Sequence, residues 1–151
     1  MKNPWECIKL DDYEGHMNLS SVAQLTTLNK IIHSQLNDYN TNRVCIFWIA
    51  GGNWLEHIDI NKYQKVYAID INESFLEITN KRFGDKFKGI LECEKIDLTK
   101  DFGKLPNAEL VIANLLIEYI GYHSFQKAIQ KVNPKFVSCV IQVESKKILV
   151  I

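Results

Sequence analysis

The sequence predicts an α/β fold, in which an open, doubly wound and mostly parallel sheet has helices on both faces. Five short apolar runs alternate with segments of helical period along the chain. The run over Val44–Ile49 is apolar at every position, which is typical of a central parallel strand covered on both sides. A Gly51-Gly52 turn follows it, and a second apolar run then ends on Asp70. This order of strand, glycine turn and acid predicts the start of a nucleotide-binding sheet.

Length and composition favour one domain over residues 1–151. The chain is 46% hydrophobic and 24% charged, and its formal net charge is zero. Its apolar runs are far shorter than the ~20 residues that cross a bilayer, and no signal-peptide core precedes them. We therefore expect a cytoplasmic protein with no membrane partner. A basic face is typical of nucleic-acid binders, so the neutral charge also argues against a nucleic-acid partner.

The first 42 residues are predicted to form an arm and a helix. Large apolar side chains alternate irregularly with acids over residues 1–18, which indicates a packed arm or lid rather than a disordered tail. From Leu19 to Leu36 the apolar residues recur at three- and four-residue steps, which predicts a helix. Ser20 or Ser21 is a candidate cap for its start.

The predicted α/β core covers residues 43–143 and ends in a short tail, 144–151. After the first strand, the pattern predicts a short helix over Asn53–Ile60 that Asn53 caps. The elements that follow are a strand over Val66–Asp70, a helix over Glu73–Phe83, an edge strand over Ile90–Ile96, a strand over Ala108–Ala113, a helix over Tyr122–Val132 and a buried strand over Phe136–Val143.

Residues that follow the strands form the candidate binding site, because ligands of such sheets lie at the carboxyl ends of the strands. Gly51 and Gly52 allow the backbone to come close to a ligand. Asp70 is placed to accept hydrogen bonds from both ribose hydroxyls of an adenosine. Asp97, after the third predicted strand, is placed near an adenine amino group. Together they predict a nucleoside site.

Four segments in this order resemble the motifs of class I S-adenosylmethionine-dependent methyltransferases. They are the first strand with Ala50-Gly51-Gly52-Asn53, the second strand with Asp70-Ile71-Asn72, the segment Lys95-Ile96-Asp97-Leu98, and the fourth strand with Asn114-Leu115-Leu116. The resemblance covers about residues 13–143 and implies a Rossmann-like fold that binds S-adenosylmethionine.

The resemblance also assigns roles to single residues. It implies that Gly51 and Gly52, flanked by Ala50 and Asn53, lie under the methionine part of the cofactor. It implies further that the second motif, Asp70 with Ile71, holds the ribose, that Asp97 and Leu98 flank the adenine, and that Asn114 and Leu115 close the near wall.

Two features depart from the family pattern. The first loop of the family follows acid-x-Gly-x-Gly-x-Gly, and here Ile46, Trp48 and Ala50 replace the acid and the first two glycines, while Gly52 is kept. The indole of Trp48 can fill the amino-acid end of the cofactor pocket. The family fold also continues past its fifth strand through a helix and an antiparallel strand pair, whereas this chain stops eight residues after Val143. We therefore expect a fold that lacks these C-terminal strands, with the fifth strand as an uncovered apolar edge.

His16, Glu118 and Tyr119 are the candidate catalytic residues. His16 lies in the predicted arm, within a Tyr-x-x-His-Met segment that resembles related sequences and is suited to shape an acceptor site. Glu118 and Tyr119 follow the fourth strand, where groups that contact an acceptor commonly lie. Each also has an ordinary interpretation of equal weight, as an exposed loop histidine, a helix-start acid or a packing aromatic. No cluster has the spacing of metal ligands, so no metal is expected.

Three functions remain open. The first is methyl transfer from S-adenosylmethionine to a small-molecule acceptor, which the neutral charge favours. The second is a catalytically inactive remnant that acts as a dimerising or partner-binding module through its open sheet edge, and Trp48 motivates it. The third is a nicotinamide-dinucleotide domain, which Asp70 permits although the spaced G-x-G-x-x-G pattern is missing.

Overall fold

Five parallel strands form a single sheet in the computed structural model, which describes residues 3–19 and 24–143. The strands are β1 (Arg43–Phe47), β2 (Lys65–Asp70), β3 (Leu91–Lys95), β4 (Leu110–Asn114) and β5 (Phe136–Val140). The helices of the described ranges are α1 (Leu10–Met17), α2 (Gln24–Asn37), α3 (Glu73–Phe83) and α4 (Ile117–Val132). The strand order is β3-β2-β1-β4-β5 and every pairing is parallel, which confirms the predicted fold class.

The two faces of the sheet carry separate halves of the core. On β1, Val44 and Ile46 pack with α2 and α3 on one face, while Cys45 and Phe47 pack with α4 on the other. Because successive side chains of a strand point to opposite faces, a strand covered on both sides must be apolar throughout. The unbroken apolar run of β1 is explained in this way.

All strands end at the same edge of the sheet, since they run in parallel. The strand order reverses between β1 and β4, which places the topological switch point beside the carboxyl end of β1. The N-terminal arm lies over this edge. The carboxamide of Asn72 donates to the carbonyl oxygen of Trp5 at 2.8 Å and to that of Ile8 at 3.0 Å. The same side chain caps α3, so one residue joins the arm to the end of β2.

The N-terminal predictions need correction. Residues 10–17 form helix α1, although no helical period was visible there, because its apolar and acidic residues alternate irregularly. Leu19 was assigned to the next helix, but it lies in a bend and is 51% exposed. The proposed caps Ser20 and Ser21 fall outside the described residues, as does the tail 144–151.

The predicted helix over Asn53–Ile60 is also wrong. Only Leu55–His57 forms a single 3-10 turn, and Asn53 does not cap it. The carboxamide of Asn53 instead donates to the Glu14 carboxylate at 2.9 Å. A contact to the N-terminal arm therefore replaces the local capping bond that the sequence suggested.

The fifth strand was predicted to be buried as far as Val143, and this is wrong as well. Strand β5 ends at Val140, and its residues Phe136 and Val137 are 40% and 41% exposed. The strand pairs only with β4 in the described part of the chain. The expectation of an apolar edge at this strand agrees with this exposure.

Candidate functional site

Asp70 lies at the centre of the carboxyl edge and is almost fully buried. Its Oδ2 accepts a hydrogen bond from the Ala50 amide at 3.0 Å, and its Oδ1 accepts one from the Asn72 amide at 2.9 Å. Burial raises the pKa of the Asp70 carboxyl to about 6, although these backbone amides favour the charged form and oppose the rise. The carboxylate therefore joins the loop after β1 to the loop after β2.

The loop after β1 keeps a backbone shape that suits glycine. The positions at which the resembled pattern has its three glycines are Trp48, Ala50 and Gly52, and their φ angles are 63°, 45° and 73°. A side chain in this left-handed region costs roughly 1–2 kcal/mol per residue. The backbone is therefore left-handed at all three positions, although only Gly52 is a glycine.

Protein side chains fill the space above this loop. A Cβ atom added to Gly51 would lie 2.8 Å from both methyl groups of Leu10, and one added to Gly52 would lie 3.0 Å from Leu55 and 3.1 Å from Thr79. The Gly52 amide donates to the Ile49 carbonyl oxygen at 2.9 Å. These glycines are needed for close packing within the protein.

A polar clamp holds the outside of the same loop. The Arg82 guanidinium on α3 donates to the Gly51 carbonyl oxygen at 3.2 Å and to the Glu14 carboxylate at 2.9 Å. Burial alone would raise the pKa of Glu14, but hydrogen bonds from Arg82 and Asn53 outweigh it and hold that pKa below its usual value. The clamp ties helix α1 to the loop.

A first cavity of about 80 Å³ lies beside Asp70. Asp70, Ile71, Asp97 and Leu98, which the resemblance assigns to ribose and adenine, all line it, and apolar side chains from the start of α4 complete the wall. The Asp97 carboxylate accepts from the Thr99 amide at 2.9 Å. The first cavity is therefore lined by two acidic side chains and an apolar wall.

A second cavity of about 400 Å³ lies on the β4 side of the edge. His16, Asn114, Leu115 and Tyr119 line it, so it brings together residues from the arm and from the end of β4. The side-chain carboxamide of Asn114 already has a partner, because its nitrogen donates to the Gln35 side-chain oxygen at 2.8 Å. Asn114 thus contributes a wall to this cavity while it also fastens α2 to the sheet.

An aromatic wall of three residues, Trp5, Trp48 and Tyr119, belongs to the lining of both cavities. Its ring centroids lie 4.9 Å apart for the two tryptophans, 5.1 Å for Trp5 and Tyr119, and 5.3 Å for Trp48 and Tyr119, all edge to face. Such contacts are a favoured geometry for aromatic pairs. The wall separates the two cavities.

The predicted site residues fall into three groups. One group, Asp70, Ile71, Asp97 and Leu98, lines the first cavity, and a second, His16, Asn114, Leu115 and Tyr119, lines the second cavity, with Tyr119 shared. A third group lines neither of these cavities and consists of Ala50, Gly51, Gly52, Asn53 and Glu118. The predicted roles of the residues in all three groups stay predictions.

Sequence reasoning missed Trp5 and Asn72 as site residues. Trp5 lies far along the chain from every loop motif, and only the density of large apolar residues in the arm signalled that the arm is packed. Asn72 was part of the second motif, but its contacts to the arm at Trp5 and Ile8 have no local signature. Among the described residues, no cluster of metal-ligating side chains occurs, and no helix is long and apolar enough to cross a membrane.

Solved structures with the same fold were found by comparison. The methyltransferase domain of bacterial CtHen1-C superposes with a TM-score of 0.60 at 16% identity, over 75% of this chain and 64% of that one. The N-methyltransferase NodS from Bradyrhizobium japonicum, in complex with S-adenosylhomocysteine, gives 0.57 at 12% identity, over 72% and 54%. The fold is that of class I S-adenosylmethionine-dependent methyltransferases.

This methyltransferase fold does not by itself determine the reaction. The cyclase SpnF also matches, with a TM-score of 0.54 at 9% identity, over 70% of this chain and 39% of that one. The chain spans less than two thirds of the length of these three structures. No protein-family model and no curated protein matches the sequence.

The residues present suit S-adenosylmethionine at its nucleoside end. A buried carboxylate at Asp70 and an apolar wall with Asp97 are the groups that ribose and adenine require. The first cavity alone is smaller than the roughly 300 Å³ at which ligand pockets begin. The second cavity lies on the other side of the aromatic wall. Trp5 brings the arm into this wall, while the contact of Trp48 with Tyr119 at 5.3 Å does not involve Trp5.

Proposed function

We propose that this chain binds S-adenosylmethionine across the two cavities and transfers its methyl group to a small-molecule acceptor. The observation that carries this proposal is the convergence of the nucleoside residues Asp70, Ile71, Asp97 and Leu98 on one cavity, next to a second cavity with a histidine. When bound, the cofactor supplies an electrophilic methyl group. The protein supplies position and exclusion of water.

The nucleoside is held from three sides. The Asp70 carboxylate accepts hydrogen bonds from the ribose, while its existing bonds from the Ala50 and Asn72 amides keep it oriented. Asp97 and Leu98 line the same cavity and would flank the base. Trp5 lines the cavity from the N-terminal arm.

Proton removal from the acceptor falls to His16. Burial raises the pKa of the nearby Tyr13 hydroxyl far above its usual range, so that this residue stays a neutral phenol and is a poor base. His16 lines the second cavity and is exposed. Its imidazole is therefore suited to accept the proton and pass it to solvent.

Isothermal titration with S-adenosylhomocysteine tests the binding step. We expect binding by the wild-type protein and a tenfold or greater loss in Asp97→Asn, because a charge-assisted hydrogen bond contributes about 1.5–3 kcal/mol. The matched control is Asp85→Asn, an exposed acid outside both cavities, which should bind as the wild type does. A folded protein that gives no heat with millimolar ligand would refute the proposal.

The exposed edge at β5 favours a second candidate, a non-catalytic module that pairs with another copy of itself. Phe136 and Val137 present apolar surface at a strand that has no outer partner among the described residues. An exposed apolar edge strand is prone to pair. Sedimentation should show a dimer that Val137→Lys dissociates and that Ile60→Lys, at a more exposed site elsewhere, leaves intact. A wild-type monomer at high concentration would exclude this candidate.

A further inference from the structure

The second cavity has an unusual number of aromatic side chains in its lining. Five of its described lining residues are aromatic: Trp5, Tyr13, Trp48, Trp54 and Tyr119. Three of them form the aromatic wall, and Tyr13 adds a ring whose centroid is 6.3 Å from that of Trp48. Clusters of such rings attract organic cations, because each ring face carries negative electrostatic potential.

The charge of this lining points in the same direction. Asp12 supplies an exposed carboxylate, and His16 is the only basic side chain among the described lining residues, which include neither lysine nor arginine. A cavity that combines one negative side chain with several ring faces favours a positively charged ligand over a neutral or anionic one.

Trp54 provides an independent sign of a ligand. It lines the second cavity and is only 4% exposed, and its indole Nε1 is buried without a hydrogen-bond partner in the described part of the chain. A buried donor without a partner is costly, and native proteins rarely leave one so. The Nε1 atom has essentially no accessible surface, so a ligand oxygen reaches it only when the indole turns toward the cavity, and accepting the N–H would then remove the cost.

We propose that the second cavity binds an organic ammonium ion that also carries a hydroxyl or ether oxygen, in the manner of an amino alcohol. The ammonium group lies against the rings of Trp5, Trp48 and Tyr119, with the Asp12 carboxylate nearby. The oxygen accepts the Trp54 N–H after the indole has turned toward the cavity. This assignment of a ligand class stands on the cavity alone and does not require a cofactor.

One further step, that the ammonium ion is the methyl acceptor, rests on the proposed methyltransferase function. A primary to tertiary ammonium ion then loses its proton to His16, and the freed nitrogen lone pair forms the new N–C bond. The C–S bond of S-adenosylmethionine breaks with its electron pair moving to sulfur, which leaves S-adenosylhomocysteine and a methylated ammonium ion. Charge and atoms balance with no further reactant.

Titration of the protein with choline, without cofactor, tests the binding claim. Choline has the required charge and oxygen. Its uncharged carbon analogue 3,3-dimethylbutan-1-ol has the same shape without the charge, and tetramethylammonium has the charge without the oxygen. We expect choline to bind about tenfold more tightly than the uncharged alcohol, which corresponds to a few cation–π contacts. Equal affinities for the two would overturn the proposal, as would no binding of choline at millimolar concentration.

Two pairs of variants locate the ion and its oxygen. Asp12→Asn should weaken choline binding about threefold to fivefold, whereas Asp11→Asn, its exposed neighbour outside the cavity lining, should not. Trp54→Phe keeps a ring but removes the N–H, and it should weaken choline binding about threefold to tenfold with no effect on tetramethylammonium. If Trp54→Phe changed both ligands equally, or if Asp11→Asn matched Asp12→Asn, the proposed contacts would be wrong.

These measurements separate the two proposals. If choline binds and S-adenosylhomocysteine does not, the ammonium site stands and the methyltransferase function fails. If S-adenosylhomocysteine binds and choline does not, the methyltransferase function survives and the ammonium site fails.

Discussion

The two halves of the strands' carboxyl edge differ in what fills the space above them. On the open half, Asp70 and Asp97 border a cavity. On the sealed half, which consists of residues 48–52, Leu10 covers Gly51 and an indole stands at position 48. The sealed half nevertheless has positive φ angles at Trp48 and Ala50, in the region that favours glycine. A loop with a glycine-type backbone therefore does not guarantee an open binding site, because side chains decide whether a ligand can enter.

The largest effect that we predict comes from opening the sealed half. Trp48→Gly removes the indole from the aromatic wall and places glycine at a φ of 63°. We expect the variant to bind S-adenosylhomocysteine about a hundredfold more tightly than the wild type, because the amino-acid part of the ligand gains charge-assisted hydrogen bonds of about 1.5–3 kcal/mol. Isothermal titration measures the change.

Ala50→Gly is the matched control for that experiment. It relieves the same kind of backbone strain, at a φ of 45°, without removing a ring. Its affinity should stay near that of the wild type. If Ala50→Gly gained as much affinity as Trp48→Gly, relief of backbone strain rather than added space would be the cause. The difference in how side chains fill the two halves would then not explain the affinity.

The second prediction tests how tightly the sealed half is packed. Gly51→Ala adds a methyl group 2.8 Å from Leu10 at a backbone φ of 84°. We expect it to lower the free energy of unfolding by about 2 kcal/mol, since the clash and the left-handed conformation both cost energy. Urea unfolding of Gly51→Ala, Leu10→Ala and the double variant separates the cost of the clash with Leu10 from the cost of the left-handed conformation. Additive losses would show that Leu10 does not pack on Gly51.

The open half was easier to predict from sequence than the sealed half. Asp70 ends the apolar strand β2 and Asp97 comes two residues after β3, so the strand pattern places both at the edge of the sheet. Trp48 was recognised as an obstacle from its position in the loop. Leu10 and Trp5, in contrast, reach the site from an arm without helical period, and their positions depend on tertiary contacts such as that of Asn72 to the arm. Burial of β5 was misjudged because an apolar run does not reveal whether a neighbour covers it.

The third prediction concerns Asp70 and pH. Its folded pKa is about 6, above the usual 3.8, so the folded state holds this proton more tightly than the unfolded state does. The free energy of unfolding should therefore fall as pH rises from about 4 to 6, by about 1.5 kcal/mol or more, and then level off. In Asp70→Asn this fall should disappear. Urea unfolding curves between pH 4 and 8 test it, and an unchanged slope in the variant would assign the titration to another group.

The smallest predicted effect on stability comes from Glu14, and its pH dependence has the opposite sign to that of Asp70. Hydrogen bonds from Arg82 and Asn53 hold the folded pKa of Glu14 below its usual value of 4.5. Its contribution to stability is therefore present above the unfolded pKa and is lost as the pH falls through the lower folded pKa. Because the pair is partly exposed, Glu14→Gln should cost less than about 1 kcal/mol at neutral pH. The acid Glu6, which does not contact the loop, provides the control as Glu6→Gln. If the stability loss in Glu14→Gln persisted unchanged at pH 3, the clamp would act through packing rather than charge. The sealed half would then be held by its apolar contacts alone.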